Sequence, residues 1–365
     1  MKIIQPSPHL FSISRFRFSV LTAFFILSTA SLTAEAPGLE PAPGPLRGRN
    51  MYAPHLPWFS FTADTPASRP AGSVKAGTAV YLLNEFSSYP FNPEDYILDS
   101  EGRLPDADQE TLTALDYEST ILEFSVDWQA LENWRFGADW RIHARYGGSM
   151  DSVIEWWHGL FGLSNAGREY FSRNRSQWNI RSASGSSMTG EGTVIAPGDL
   201  DLTALWTFLE KPKLTLAASG AFKIPIGRKI GGFSSGYPDL GVELLLNWHP
   251  WNRWLFYLNT GIIIPLGGGT LPMGQLLPVV EFRASRNISI LVQMNIQTAP
   301  FSGDVDYIHP AFGKTSMFAL PQTDLKIGIK GRSGRFGWQF FIEEDPLTWE
   351  GPDILLFFGA DWTFQ

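Results

Sequence analysis

The sequence predicts an all-β protein, a transmembrane antiparallel β-barrel of about twelve strands. Three observations predict this fold. From about Thr78 onward, side-chain character alternates with a period of two, which is the period of a strand rather than a helix. The apolar faces of the clearest strands carry no charged residue and are rich in Trp, Phe, Ile and Leu. The predicted connections alternate between short and long, as in a closed barrel whose two chain ends lie on one side of a membrane.

The clearest strand is RFGWQFFIE, residues 335–343, in which every second residue is apolar: Phe336, Trp338, Phe340 and Ile342. The same alternation covers 78–86, 117–128, 133–146, 199–209, 213–226, 239–249, 253–265, 277–285, 287–298, 324–331 and 353–364. Most of these stretches have about the length that a tilted membrane strand requires. A soluble β-sandwich also alternates in hydrophobicity, but it has no reason to alternate its loop lengths.

The connections predict which ends of the strands face which compartment. Short ones lie at 129–133, 210–213, 250–252, 286–287 and 332–334, and long ones at 87–116, 147–198, 227–238, 266–276, 299–323 and 344–352. We therefore expect short periplasmic turns and long extracellular loops. Because an unpaired backbone group in lipid costs several kcal/mol, the last strand must pair with the first, near Thr78–Phe86.

The N-terminus predicts export. Arg15 and Arg17 precede an apolar run, VLTAFFILSTA (20–30), of signal-peptide length, and cleavage sites follow at Ala30, Ala34 or Ala36. We expect a signal peptide at 1–34, a Pro/Gly-rich periplasmic linker at 35–76 and the barrel at 77–365. The expected location is a bacterial outer membrane, reached by the Sec route.

Composition limits the partners. There is no Cys, so neither a disulfide framework nor a cysteine metal site is available, and no motif predicts a metal or a cofactor. The net charge of −8 falls to about −11 once Lys2, Arg15 and Arg17 are removed, which argues against nucleic acid. The expected partners are outer-membrane lipids and lipopolysaccharide, the barrel-assembly machinery and a small solute that the sequence does not name.

The faces opposite the apolar ones carry charges of both signs, and we expect them to line the lumen. The candidates for a constriction are Glu123, Asp127, Arg135, Asp139, Arg141, Arg145, Asp239, Glu243, Glu281, Arg283 and Lys326. Such charges form either a filter that selects solutes by sign and size or a set of internal ion pairs that closes the lumen. The sequence alone favours neither.

One loop carries a helical pattern. Between Met150 and Leu163, apolar side chains recur at helical spacing; Ser149 or Asp151 is expected to cap the helix and Gly162 to end it. The candidate functional residues of this segment are Trp156, Trp157, His158, Asn165 and Arg168, of which the last three could bind a polar head-group. The alternative is a packed loop that covers the barrel.

The C-terminal stretch DILLFFGADWTFQ predicts the closing strand. Its outward set ends in aromatic residues, and Phe358, Trp362 and Phe364 are the candidate assembly signal. Outer-membrane barrels resemble one another in ending on such a strand. Here Gln365 follows the terminal aromatic residue, which is a departure from that pattern.

Three functions remain open at this stage. The first is a porin-like channel or transporter for small solutes, and the second is a non-conducting structural or surface-binding barrel. The third is a lipid-modifying enzyme, for which His143 and His158, with Ser149 and Asp151 nearby, are the only compositional argument. No nucleophile motif such as GxSxG is present, so we do not expect an enzyme.

The segments IEWWHGLFGLSNAGREYF (154–171), PGDLDLTALW (197–206) and YPDLGVELLLNW (237–248) resemble those of the bacterial domain-of-unknown-function 3187 family. The resemblance covers most of the chain after about residue 76. It implies an exported barrel, and it implies no catalytic residue because the family has no established activity.

Overall fold

Twelve long strands form one closed antiparallel barrel in the structure, a computed structural model that describes residues 44–364 apart from 90, 163–164, 166, 182–186, 302–306, 310–312, 316 and 346–350. The barrel strands are β1 (Val74–Ser88), β2 (Thr113–Leu131), β3 (Trp134–Tyr146), β6 (Val194–Lys211), β7 (Leu214–Ile224), β8 (Asp239–Trp251), β9 (Trp254–Pro265), β10 (Met273–Arg283), β11 (Ile288–Gln297), β14 (Gln322–Ser333), β15 (Phe336–Glu344) and β16 (Ile354–Phe364). Each strand pairs with its neighbour in this order.

The first and last strands close the sheet. β1 pairs with β2 on one side and with β16 on the other, from Val74 opposite Phe364 to Asn84 opposite Ile354. No backbone edge of the barrel is therefore left for lipid, which is the condition for a sheet to cross a membrane. The predicted pairing of the last strand with the first is confirmed.

The two ends of the barrel differ in the length of their connections. Tight turns join β2 to β3, β6 to β7, β8 to β9, β10 to β11 and β14 to β15, and the barrel's two chain ends, Val74 and Phe364, lie at that same end. We call it the turn end, and the opposite end, with the long connections, the loop end. The predicted alternation of short and long connections is confirmed.

The outside of the barrel is apolar, and the inside carries most of its charged and polar side chains together with a buried apolar cluster. Outward side chains such as Phe124, Leu244 and Phe358 are 44%, 58% and 50% exposed, whereas each of them has an inward neighbour along its strand that is buried. Alternation at period two places these two sets on opposite faces of the sheet. Among the described residues, no helix is long and apolar enough to cross a membrane.

The loop end carries the remaining elements. Helix α1 (Asp106–Leu112) lies between β1 and β2, and α2 (Asp151–Phe161) follows β3. Strands β4 (Gln177–Arg181) and β5 (Ser187–Glu191) form a hairpin that extends β2, and β12 (Tyr307–His309) pairs with β13 (Gly313–Thr315). Short 3-10 turns lie at Pro93–Asp95, Arg168–Tyr170, Ile230–Gly232 and Met317–Ala319.

Helix α2 confirms the helix predicted in this loop, and Gly162 ends it in a left-handed conformation, with φ of 68°. The cap differs from the prediction, because Met150 occupies the N-cap position and no side chain caps the helix. The carboxylate of Asp151 is directed elsewhere: it accepts hydrogen bonds from Arg168 and from the backbone N–H of Asn174. Helix α1 and the β4–β5 hairpin were not predicted.

The N-terminal segment differs most from the sequence expectation. Strand β1 begins at Val74, and residues 44–69, which were expected to form part of a periplasmic linker, lie inside the barrel. Arg49, Met51, Trp58 and Phe61 are all at most 6% exposed. The signal peptide predicted at 1–34 lies outside the described residues.

Candidate functional site: the barrel lumen and the segment inside it

The lumen is occupied by residues 44–69, which we call the lumen segment. It has two arms joined by a turn around Tyr52–Trp58, where the backbone N–H groups of His55 and Leu56 donate to the carbonyl of Tyr52. Prolines recur along it, at Pro45, Pro54, Pro57 and Pro66. Because proline cannot donate to a β-ladder, this segment stays irregular although it lies within a sheet.

The first arm runs from the turn end to the loop end. Near the turn end, the Lys330 ammonium donates to the carbonyl of Pro45 at 2.6 Å. Further along, Lys326 donates to the carbonyl of Gly48 at 3.0 Å. At the loop end, the side-chain amide of Asn50 donates to Gln297 at 2.9 Å and to Gln322 at 2.6 Å. Side chains of β11 and β14 thus hold this arm in place.

The second arm returns to the turn end along the opposite part of the wall. The backbone N–H of Phe59 donates to Asp239 at 2.7 Å, at the loop end of β8. Gln275 of β10 both accepts from the N–H of Phe61 and donates to its carbonyl. At the turn end, Thr207 donates to the carbonyl of Pro66 at 2.7 Å. The buried backbone groups of both arms therefore pair with wall side chains, as burial requires.

Ion pairs join the lumen segment to the wall. Arg47 lies 2.5 Å from Asp127 and 3.6 Å from Asp139, and Arg49 pairs with Asp201. In the other direction, the wall residue Arg135 pairs with Asp64 of the segment at 2.7 Å. These contacts are largely buried. An unpaired charge is costly in a buried environment, so the pairing stabilises both partners.

Wall charges also pair with one another. Arg141 bridges Glu123 at 2.7 Å and Asp201 at 2.8 Å, and because Glu123 lies directly opposite it on β2, these charges are neighbours on one wall. Lys326 lies 3.3 Å from Glu343, and Glu281 accepts from Tyr257 at 2.8 Å and from Ser289 at 2.6 Å. In this conformation many of the inward charges are therefore paired, either with one another or with the lumen segment.

Acidic groups outnumber basic ones on the inward faces of the barrel strands. The inward carboxylates are Glu85, Glu123, Asp127, Asp139, Asp199, Asp201, Asp239, Glu243, Glu281, Asp324, Glu343 and Asp361. The inward cations are Lys75, Arg135, Arg141, Arg145, Lys223, Arg283, Lys326, Lys330 and Arg332. The lumen segment has the opposite balance, with Arg47, Arg49 and Arg69 against Asp64.

Two predicted lumen residues serve other contacts. The Arg145 guanidinium lies over the rings of Tyr117, Trp178 and Phe233, at 4.0, 4.7 and 5.1 Å, and donates to the carbonyl of Gly231 at 2.6 Å. Asp239 pairs with Lys223 at 2.9 Å. Both lie at the loop end, so they line its entrance rather than a mid-lumen constriction.

A small polar cavity remains between the lumen segment and the wall. Its volume is about 40 Å³, and Arg47, Asp64, Asp139, Asp201 and Glu243 are among its lining residues. That volume is enough for only a few water molecules. Within the described part of the chain, the segment therefore leaves no wide path at this level of the barrel.

The loop helix is attached to the rim of the barrel by Arg168. Its guanidinium donates to Asp151 at 2.7 Å and to Asn84 at 2.8 Å, and it also pairs with Asp353. His158 contacts Asn165 at 3.2 Å and lies 3.6 Å from Glu344. The predicted head-group role of Arg168 is not available in this conformation, because its guanidinium is already occupied.

The residues that prompted the enzyme alternative do not form a catalytic arrangement. His143 stacks on Phe233, with ring centroids 4.8 Å apart, and the Asp151 carboxylate pairs with Arg168. Among the residues that the structure describes, no group of three or more His, Asp or Glu side chains could hold a metal ion.

These features define the class of the protein: a transmembrane β-barrel with an apolar belt, many charged and polar side chains in its interior, and a chain segment folded inside it. A family model described as "Protein of unknown function (DUF3187)" matches residues 107–364. The chain belongs to this family, which confirms the resemblance seen in the sequence. Comparison with curated proteins gives no match.

Solved structures support the fold. The COG4313 outer membrane channel from Pseudomonas putida F1 aligns over 84% of this chain and 100% of its own, with a TM-score of 0.54 and 10% identity. The KdgM porin aligns over 79% and 99%, with a TM-score of 0.39 and 5% identity. A Pseudomonas aeruginosa FadL homologue aligns over 90% and 99%, with a TM-score of 0.37 and 9% identity. The first similarity shows a shared outer-membrane barrel fold, and the other two carry no further argument.

Proposed function

We propose that the protein is an outer-membrane channel for small solutes and that the lumen segment closes it in this conformation. The observation that carries the proposal is the independence of the sheet from the segment. The strands of the barrel satisfy one another in a closed ladder, whereas wall side chains hold the segment. The segment can therefore leave the lumen without opening an edge in the sheet.

The polarity of the lumen supports conduction. Once the segment is displaced, the wall groups that hold it by hydrogen bonds and ion pairs are carboxylates, amides, hydroxyls, ammonium groups and guanidinium groups, all of which water solvates readily. Apolar wall side chains such as Leu277 and Phe341, which also pack against the segment, lie between them. A wettable wall is what a conduit for polar solutes requires.

The same proposal orients the barrel. The turn end faces the periplasm and the loop end faces the exterior, after export by the Sec route and insertion by the barrel-assembly machinery, whose signal includes Phe358, Trp362 and Phe364. These three side chains are 50%, 46% and 50% exposed and face the surrounding lipid. Displacement of the lumen segment would then carry it toward the periplasm, because it continues into β1 at the turn end.

The filled lumen favours one competing function, a non-conducting barrel whose loops bind a partner. Single-channel recording in planar bilayers separates the two. We expect rare openings from the wild-type protein and frequent openings from the double variant Arg47→Gln/Arg49→Gln, whose segment has lost its ion pairs with Asp127, Asp139 and Asp201.

The matched control is Arg103→Gln, which removes an arginine from a half-exposed loop ion pair and should behave as wild type. All three proteins should first migrate as folded barrels on an unboiled gel. Silence from all three folded proteins at every voltage would contradict the channel and support the non-conducting barrel.

A further inference from the structure

The wall that contacts the lumen segment is acidic at one level of the barrel. Across β2, β3, β6 and β8 it presents Glu123, Asp127, Asp139, Asp201 and Glu243, all largely buried. The basic groups of the same wall are Lys75 of the adjoining β1, Arg135 and Arg141 of β3, and Lys223 of β7. Lys223 pairs with two further carboxylates of this wall, those of Asp199 and Asp239, at 3.2 and 2.9 Å. This wall therefore does not balance its own charge.

The lumen segment supplies the missing positive charge. Arg47 lies between Asp127 and Asp139, and Arg49 pairs with Asp201, with both guanidinium groups largely removed from water. Asp64 of the segment pairs with Arg135, so the segment also adds one negative charge. The net contribution of the segment at this level is cationic, so it occupies the acidic wall as a tethered counter-ion.

Two carboxylate oxygens remain only partly compensated. Glu243 Oε1 and Asp201 Oδ1 are buried and have no hydrogen-bond partner within the described residues. Both residues line the small cavity between the segment and the wall. Buried acceptors that have no donor attract positive charge in a low-dielectric space. The carboxylates of this site therefore carry more negative charge than the Arg47 and Arg49 guanidinium groups neutralise.

We infer that the open channel conducts cations in preference to anions, and that the site now filled by Arg47 and Arg49 takes small solutes bearing guanidinium or amine groups. This inference rests on the proposed channel function. Withdrawal of the segment leaves Asp127 with Lys75, at 3.4 Å, and leaves Asp201 with Arg141, while Asp139 loses its ion pair with Arg47. A wall with an excess of carboxylates concentrates cations and repels anions.

The test is the zero-current potential of the folded Arg47→Gln/Arg49→Gln protein across a tenfold KCl gradient in a planar bilayer. The substitutions are neutral, so they add no acidic group to the lumen. We expect a zero-current potential of the sign that K⁺ diffusing down its gradient produces. The K⁺ to Cl⁻ permeability ratio should be roughly three or more. Agmatine added to the chamber should reduce the K⁺ current more than urea at the same concentration.

Neutralising the wall carboxylates tests whether they cause the cation preference. In the same background, Asp127→Asn/Asp139→Asn should move the zero-current potential toward zero, whereas the exposed loop change Asp99→Asn should leave it unchanged. If the double change prevents folding, Glu243→Gln serves instead, because the Glu243 Oε1 atom has no partner to lose.

The outcomes separate the two proposals. Conductance with an anionic or neutral preference would overturn the inference and leave the channel standing. A cation preference that survives neutralisation of the wall would also overturn it, since other groups would then select. Absence of conductance from every folded variant would overturn the channel and the inference together.

Discussion

Arg168 is a single buried side chain that positions a whole loop. Its guanidinium joins Asp151 of α2, Asn84 of β1 and Asp353, which precedes β16, and it lies 4.9 Å over the ring of Phe86. A planar group with several donors suits this convergence of acceptors from separate elements. One residue outside the loop helix thus links that helix to two parts of the barrel rim.

The change Arg168→Gln should release this loop. Removing one partner of a buried ion pair costs about 3–5 kcal/mol, and here it leaves two carboxylates facing each other. We expect much faster amide hydrogen exchange across 147–175 and an unchanged rate in the barrel strands. The control Arg173→Gln breaks an exposed pair with Glu155 and should change little. Equal exchange rates in both variants would show that Arg168 does not position the loop.

His158 should make the packing of this helix depend on pH. Burial alone lowers the pKa of His158, but its contact with the Glu344 carboxylate and the charges of Asp353 and Glu344 outweigh burial and raise the pKa above its usual value, despite the opposing charge of Arg168. Since the folded-state pKa is raised, the contribution to stability is complete below about pH 6.5 and is lost as pH rises through the folded-state value.

Hydrogen exchange in α2 should therefore be slower at pH 5.5 than at pH 8.5, after correction for the intrinsic pH dependence of exchange. The substitution His158→Asn removes the titrating group and should abolish the difference. A wild-type helix that becomes better protected at the higher pH would contradict the assigned direction of the shift.

At the scale of elements, the lumen segment is the part that the sequence did not predict. Its prolines and glycines indicate a linker, and its backbone does not form a regular structure. One feature of the sequence argues against a linker. The segment carries more large apolar side chains than a solvated linker does, namely Leu46, Met51, Trp58, Phe59 and Phe61. Its partners could not be predicted, because Lys330 and Pro45, for example, are 285 residues apart in the sequence.

Gly48→Ala should loosen this segment by steric conflict. A Cβ atom at position 48 would overlap the ring of Phe341, lying 2.9 Å from its Cε1 atom, and that ring is buried and stacked on Phe357 with centroids 4.4 Å apart. Overpacking of this kind costs about 1–3 kcal/mol. We expect more frequent channel openings than in wild type.

The matched control is Gly159→Ala in helix α2, where a Cβ atom would meet nothing within 4 Å. It should leave the openings unchanged. Identical recordings from Gly48→Ala and Gly159→Ala would mean that the fit of the first arm does not keep the channel closed.

The last strand should depend on its terminal aromatic residue. Phe364 lies opposite Val74 in the pairing that closes the barrel, and its side chain is 50% exposed toward lipid. Phe364→Ala should reduce the amount of heat-modifiable barrel in the membrane. The control Phe336→Ala removes the same ring from an outward position of β15, which is not the terminal strand. Equal yields of the two variants would argue against a terminal signal.

At the scale of the whole molecule, the membrane made the fold predictable from local sequence. Each strand must be apolar on one face and paired with a neighbouring strand on both sides. The period of two and the loop lengths were therefore sufficient to predict the barrel. The lumen lacks such a constraint. Alternation predicted that Arg135, Asp139 and Glu243 line the lumen, but only the fold shows that Arg135 meets Asp64 and that Arg47 lies between Asp127 and Asp139.

Movement of the lumen segment during conduction is the most direct test of a channel closed from within. The chain has no Cys, so the substitution Ser60→Cys places a single thiol on the second arm, at a site that is 3% exposed. A bulky water-soluble thiol reagent should leave this variant unmodified while it is closed. During recorded openings the reagent should react, and the current should then stay raised because the modified arm no longer fits. Sustained conductance while the introduced thiol stays unreacted would contradict the proposal that the lumen segment closes this channel.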